Sequence, residues 1–252
     1  MAVFISVVNH NHDAMIVREN TLKELSKQYS VVLKSNTEPT LELTAYCKAA
    51  GIHLLTSNQP KGFGANNNEI FEFAKKELDM KTEDYFLVLN PDVIIDNQSV
   101  NQLIKLADTY QSDISAINLY RNKEKTEFDN SIRRQHSLLN PLRGLLGLQR
   151  KDIYDKSVIK EPTHIDWAAG SFLLFRANTY EELGGFDERY FMYFEDADIC
   201  TRANKQSMNV MYFPQIEAIH FAAKNNRKIF SRHFRWYFCN LFKYHISQLY
   251  KF

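Results

Sequence analysis

Short apolar runs alternate with segments of helical spacing through the N-terminal part of the chain. Residues 3–8, Val-Phe-Ile-Ser-Val-Val, are a β-branched run closed by the polar stretch Asn9 to Asp13, which predicts a buried strand and a turn. Helical spacing over 14–28 leads to a second apolar run over 29–33, ending at Ser35-Asn36-Thr37. A helix over 41–50 stops at Gly51, and 52–55 gives a third short strand. The glycine-bearing loop Lys61-Gly62-Phe63-Gly64 precedes a helix over 65–77, and Tyr85-Phe86-Leu87-Val88-Leu89 makes a fourth strand. This alternation predicts an α/β fold with a mostly parallel central sheet flanked by helices. Ligands of such sheets gather at the C-terminal ends of the strands, where Asn9, Ser35 and Asn90-Pro91-Asp92 fall.

The pattern weakens over 121–162, a charge-rich stretch containing Asn140-Pro141 and the pair Gly144 and Gly147, which predicts an irregular or helical insertion over the sheet face. Strand character returns over 165–175. A helix over 195–204 opens with acidic residues, which suit a helix N-terminus. Residues 209–213 read as a strand, linked through Pro214 toward His220. Near the end, Phe230, Phe234, Phe238, Leu241, Phe242, Ile246 and Leu249 recur at helical spacing, with Lys228, Arg232, Arg235 and Lys243 largely off that stripe. Two units are expected: a domain over 1–223 and a basic amphipathic helix over 224–252. That helix either docks on the core or lies on an anionic membrane surface.

Composition narrows the class. A chain of 252 residues, 44% hydrophobic and 24% charged, is long enough for a full core and has the balance of a soluble domain. The net charge of +1 hides an asymmetry: no acidic residue follows Glu217, while Lys224, Arg227, Lys228, Arg232, Arg235, Lys243 and Lys251 do. No nucleic-acid recognition motif accompanies that charge. Cys47, Cys200 and Cys239 lack metal-ligand spacing, which favours a reducing, cytoplasmic setting over a disulfide framework. The N-terminus has neither a basic region nor a cleavage site, and no run approaches the roughly 18 apolar residues of a membrane span. Any membrane contact is expected at the surface.

Glu195-Asp196-Ala197-Asp198 is the densest chemical signal. Carboxylates this close repel one another unless a cation, a shared proton or a catalytic task stabilises them. Spacing of three puts Glu195 and Asp198 on one helical face, with Asp196 pointing elsewhere. A buried carboxylate there could act as a general base. The plainer account is N-capping of the helix. Asn90-Pro91-Asp92 can hold a divalent cation and, through it, a diphosphate, though the same residues make ordinary turns. His220 is either a metal ligand or a structural histidine. The loop Lys61 to Asn68 offers backbone N–H groups at a helix start to a nucleotide or sugar, yet matches neither a Walker loop nor a Rossmann fingerprint.

In order and spacing, these motifs resemble the family 2 glycosyltransferases of GT-A fold. They are G-F-G-A-N-N-N, N-P-D, W-A-A-G-S-F, G-G-F-D-E-R-Y-F-M-Y-F-E-D-A-D-I-C-T-R and Ala218-Ile219-His220. More narrowly, the chain resembles bacterial rhamnosyltransferases of O-antigen assembly, which Asn225-Asn226-Arg227 and the stretch from Phe230 to Trp236 also suggest. The resemblance implies Asp196 as catalytic base and Asp92 as the last acidic residue of a metal-binding D-x-D-like element. It implies His220 as a further metal or diphosphate contact, and Trp167, Ala169, Gly170 and Glu195 as the acceptor wall. Asn9, Ser35, Lys61, Gly62, Phe63, Gly64, Asn67 and Asn90 fall on the donor side, with Arg202 and Arg227 as phosphate partners. Two positions depart from the family pattern: Ser35 stands where many relatives carry an Asp, and Asn90 replaces the first Asp of the metal element.

The expected reaction is an inverting displacement assisted by Mg²⁺ or Mn²⁺, with a loop in the 121–162 insertion closing over the donor. The resemblance implies dTDP-L-rhamnose as donor, a sugar on a polyprenyl diphosphate as acceptor, and a place on the inner face of the cytoplasmic membrane. UDP-galactose, UDP-glucose and UDP-N-acetylglucosamine remain alternative donors. A sugar-phosphate nucleotidyltransferase would open with a glycine-rich loop, where this chain has Asn9-His10-Asn11-His12-Asp13. A non-catalytic nucleotide-sugar or lipid-surface binding module is the other rival.

Overall fold

The computed structural model describes residues 1–57, 59–135, 152–221 and 232–250. Its first half alternates as the sequence pattern predicts: β1 (Val3–Asn9), α1 (Asp13–Glu19), α2 (Thr21–Ser26), β2 (Ser30–Ser35), α3 (Leu41–Ala50), β3 (His53–Thr56), α4 (Phe63–Glu77) and β4 (Tyr85–Leu89). Local chemistry sets the boundaries. Thr40 caps α3 by accepting from the Leu43 N–H at 3.2 Å, and Gly51 ends it with φ 67°. The single helix expected over 14–28 is two, because Asn20 turns left-handed (φ 58°), a conformation asparagine tolerates.

The second half holds β5 (Val93–Ile94), α5 (Asn97–Thr109), β6 (Ile114–Tyr120), β7 (Ile132–Arg133), β8 (Thr163–His164), β9 (Trp167–Ala168), β10 (Phe172–Arg176), α6 (Ala177–Glu182), α7 (Glu195–Lys205), β11 (Val210–His220) and α8 (Arg232–Tyr250). Among the described residues the main sheet runs β3-β2-β1-β4-β10-β6-β11-β5, with β8 on β11. The sheet is mixed, with most of its longer ladders parallel, as expected, and antiparallel strands set among them. The run β3-β2-β1-β4 is parallel, but β10 lies antiparallel between β4 and β6. The strand expected over 165–175 is broken by the turn at Ala169-Gly170-Ser171, which separates β9 from β10. β11 carries Pro214 inside it. Its register against β6 jumps between Phe213 and Glu217, a bulge where proline offers no ladder hydrogen bond.

Both faces of the sheet are covered, so β4 is buried at every position. One layer brings Ile16, Leu22, Leu43, Val100 and Leu103 from α1, α2, α3 and α5 against Ile5, Leu33 and Leu87. The other brings Ile70 and Phe71 of α4, Tyr180 of α6, Ala197 and Ile199 of α7 and Leu241 and Tyr244 of α8 against Phe4, Phe86 and Phe175. The C-terminal helix therefore packs on the core. Cys47 and Cys200 are buried free thiols and Cys239 is exposed. Among the described residues no helix is long and apolar enough to cross a membrane. Residues 136–151 of the 121–162 insertion, where a closing loop was expected, lie outside the described residues.

Candidate active site

Asn90-Pro91-Asp92 leaves the buried end of β4 as a turn: the Asn90 N–H donates to the Ser171 carbonyl at 2.9 Å, and the Val93 N–H to the Asn90 carbonyl at 3.1 Å. β5 then pairs antiparallel with the end of β11, setting Val93 opposite His220. This pairing brings the imidazole to the turn. His220 Nε2 stands 3.4 Å from Asp92 Oδ1, and Nδ1 is 2.6 Å from Asp129 Oδ2. His220 is only 9% exposed. Burial by itself disfavours its charge, but Asp129 and Asp92 outweigh that and raise the pKa to about 9. Burial likewise opposes ionisation of Asp129, yet His220, Arg121 and Lys156 hold its pKa below the ordinary value. Lys156, buried behind it, donates to Ser131 Oγ at 2.8 Å. Burial pushes its pKa down to about 7, with Asp129 pulling the other way.

Asp196 lies in the first turn of α7. Its carboxylate accepts from the Gly170 N–H at 3.1 Å and the Ala197 N–H at 2.8 Å. Burial raises its pKa, against those two amides and the charge of Arg133. Glu195 beside it has less support, a backbone hydrogen bond at its own residue. It is 5% exposed, and Oε2 has no hydrogen-bond partner among the described residues. Burial first, then the charge of Asp196, raises its pKa well above the ordinary carboxylate value. Both carboxyls of this pair are thus pushed above the ordinary carboxylate range by burial, Asp196 against two amide donors from its neighbours.

One cavity of about 350 Å³ is lined by Glu195, Asp196 and Trp167 together with His220, Asp129 and Tyr237; Asp92 does not line it and reaches it only through His220. A wider cleft of about 550 Å³, bordered by Glu24, Asp96 and Glu217, contains none of them. Asp198, expected to share a face with Glu195, points away and bonds Arg202 Nε at 2.7 Å. The helix begins at Glu195, so its first two side chains, rather than the first and fourth, reach the cavity.

The other expected residues divide. Trp167 and Ala169 line the cavity, and the Gly170 N–H holds Asp196. A Cβ on Gly170 would come within 2.9 Å of the Phe63 ring, so that close approach needs glycine. Asn9 and Ser35 are buried and bonded to each other at 2.9 Å; Asn9 also donates to Asp13 and Ser35 to the Thr37 carbonyl. They brace the ends of β1 and β2. Lys61 pairs with Glu69, and its backbone is locked to Asn36 by reciprocal bonds of 2.8 and 2.9 Å. Gly62 sits against the Phe191 backbone, Gly64 against the Phe186 side chain, and Asn67 is buried on Ser6. The G-F-G-A-N-N-N segment, which opens α4, thus fastens β1 and the end of β2 to the loop that precedes Asp196. Arg202, expected to meet phosphate, instead bonds Asp198 and the carbonyls of Leu183 and Gly185, and does not line the cavity. Arg227 lies outside the described residues. Sequence reasoning missed Asp129, Arg133, Ser131 and Tyr237, all of which line the cavity.

Among the described residues no three His, Cys, Asp or Glu side chains gather round one metal position. The fit to a dication rests on two groups. Without a cation, Asp92 and His220 Nε2 face each other at 3.4 Å as an ion pair; a dication held there would replace the Nε2 proton, with Asp129 on the far nitrogen to orient the ring. Two protein ligands suit Mg²⁺ or Mn²⁺, which keep waters and take substrate phosphates as the remaining ligands.

Residues 3–239 match the family model described as glycosyltransferase like family 2. The chain is a family 2 glycosyltransferase. It is 33% identical over 246 residues to rhamnosyltransferase WbbL of Escherichia coli, covering 96% of this chain and 92% of that one. It is 27% identical over 210 residues to the N-acetylglucosaminyl-diphospho-decaprenol L-rhamnosyltransferase of Mycobacterium tuberculosis, covering 77% and 67%. Its GT-A-like fold is shared with GalNAc-T7, solved with UDP, GalNAc and Mn²⁺ (TM-score 0.63, 13% identity, 87% of this chain and 44% of that one). The same holds for S. aureus TarS in complex with UDP-GlcNAc (TM-score 0.58, 13% identity, 90% and 62%).

Proposed function

We propose that this glycosyltransferase transfers L-rhamnose from dTDP-L-rhamnose, with inversion, to a hydroxyl of a sugar carried on a polyprenyl diphosphate. The observation that carries the transfer chemistry is the shared cavity, in which Asp196 and His220 face one space. The donor and acceptor rest on likeness to the two rhamnosyltransferases.

Asp196 removes the proton of the acceptor hydroxyl as its oxygen attacks the anomeric carbon, and the bond to the diphosphate oxygen breaks on the opposite face. A β-linked donor then yields an α-rhamnoside. Asp92 and His220 would hold Mg²⁺ or Mn²⁺, whose positive charge would stabilise the leaving diphosphate. Asp129 keeps the His220 ring turned toward Asp92. Trp167, held by its indole N–H on the Arg134 carbonyl at 2.9 Å, gives the acceptor sugar a fixed apolar wall.

Donor identity is tested by protection against thermal unfolding in the presence of Mn²⁺. A ligand at 100 times its dissociation constant stabilises by about 2.7 kcal/mol. dTDP-L-rhamnose is expected to raise Tm more than UDP-glucose, UDP-galactose or UDP-N-acetylglucosamine. A larger shift with any of these would reassign the donor.

The acceptor lipid implies work at the inner face of the cytoplasmic membrane. α8 supports this: its outward side leaves Phe242 50% and Ile246 54% exposed, with Phe238 packed at a tilt beside Phe242 and Arg235 exposed on the same helix. Changing both Phe242 and Ile246 to Asp is expected to lower co-sedimentation with anionic vesicles about tenfold or more, since each half-exposed side chain would forfeit of the order of 1 kcal/mol of burial. Sedimentation equal to wild type would remove the membrane from this reading.

A further inference from the structure

The approach to Asp196 is strained, and the strain is held by the last helix. Tyr193 and Phe194 adopt φ of 72° and 74°, successive left-handed conformations that residues with a Cβ avoid. Such a turn persists only where its surroundings over-determine it. Glu195 and Asp196 follow immediately, so the geometry of this turn sets the direction in which α7 presents its first carboxylates.

On α8, buried Asn240 donates from Nδ2 to the Met192 carbonyl at 2.9 Å and to the Tyr193 carbonyl at 3.3 Å. Tyr237, one turn earlier, packs its ring on Phe194 at 5.2 Å and Tyr193 at 6.1 Å, and lines the cavity. Tyr244, one turn later, stacks on Phe194 at 5.5 Å and shares a hydrogen bond of 2.8 Å with Thr201 of α7. These three residues share one helix face, and its middle member is the one that fixes backbone. We infer that Asn240 is a positioning residue: by tethering the Met192 and Tyr193 carbonyls it holds the left-handed turn that aims Asp196 into the cavity. The inference rests on the reading of Asp196 as the base. It also makes α8 a working part of the catalytic unit rather than a tail, while Phe242 and Ile246 stay half-exposed.

The test compares Asn240→Ala, Asn240→Leu and Leu241→Ala in the full chain. Leu keeps side-chain bulk at 240 but offers no donor, while Leu241 is a buried neighbour on α8 whose loss loosens docking without touching those carbonyls. Both Asn240 variants are expected to speed hydrogen–deuterium exchange of the 190–198 segment about tenfold. They should also lower kcat about tenfold or more, with the donor KM within twofold, as misplacement of a reacting group predicts. Leu241→Ala is expected to lower Tm at least as much while that segment still exchanges slowly. Wild-type exchange in a folded Asn240 variant, or equal acceleration in Leu241→Ala, would overturn the assignment. Full activity of Asp196→Asn would strike the base reading alone, because exchange at the turn does not depend on Asp196 chemistry.

Discussion

Replacing Asp196 by Asn is expected to cut transfer by roughly 10²-fold or more while nucleotide protection against thermal unfolding survives, the scale of a lost general base. The argument begins with what Asn preserves. It has the shape of Asp, and one oxygen can still accept from Gly170 or Ala197; the other partner then meets an amide NH₂, a local cost that leaves the donor side untouched. Glu195 is a poor substitute: its carboxyl is buried, Oε2 has no hydrogen-bond partner among the described residues, and burial raises its pKa above the ordinary carboxylate value. Wild-type kcat should also carry an acid limb. Burial raises the Asp196 pKa above the ordinary carboxylate value, so the base form is complete above that raised pKa and is lost as pH falls through it. In Asp196→Asn that limb should vanish with the rate. An Asn variant of near-wild-type activity, or one that no longer responds to donor, would end the assignment.

How far the chain discloses this arrangement depends on the range of the interactions. β4 was legible because a short apolar run of five residues bounded by polar stretches fits a strand covered on both faces, and α3 because Gly51 ends it. α5 and β6 went unread. α5 is polar along most of its length and buries only Val100, Leu103 and Ala107, a narrow stripe that signals a helix weakly until the sheet beneath it is known. The antiparallel β10 escaped for a different reason: strand direction is set by the return path of the chain, and no local pattern records it.

The site shows the same division. Asp92, Asp196 and His220 stood out because each is a polar exception near the end of an apolar run or the start of a helix. Asp129 did not, for it lies 91 residues from His220 in a stretch with no periodicity. Asn240 lies 47 residues from Tyr193 and was hidden inside what read as an amphipathic stripe. The stripe itself was half the picture. Phe238, Phe242 and Ile246 form the outward side, while Tyr237, Asn240, Leu241 and Tyr244 form the inward one, so the helix docks with one face and exposes apolar groups on the other. A hydrophobicity pattern cannot separate two such faces when both are aromatic.

The second large effect is expected at Asp92. Asp92→Asn should lower transfer roughly 10²- to 10³-fold, the scale seen when one charge-stabilising contact to a departing oxyanion is removed. The substitution keeps the turn, because the bonds that shape it are from the Asn90 N–H to Ser171, from Val93 to the Asn90 carbonyl, and from the Phe221 N–H to the Asp92 carbonyl, all backbone. What it removes is one negative charge facing His220 Nε2. With Asp92 neutral, the imidazole still has Asp129 on Nδ1, so the ring stays oriented and only the cation-binding half of the pair is weakened. Direct Mn²⁺ binding, followed by electron paramagnetic resonance in the absence of substrate, should fall in parallel with rate, and EDTA should slow the wild type far more than the variant. The two readouts separate two failures. Weak Mn²⁺ binding with full activity would show that the diphosphate leaves without a metal; unchanged Mn²⁺ binding would place the ion elsewhere. Because His220 and Asp196 open onto one cavity, a parallel loss in both variants is what a single displacement requires: one group strips the incoming hydroxyl while the other end receives the charge that leaves.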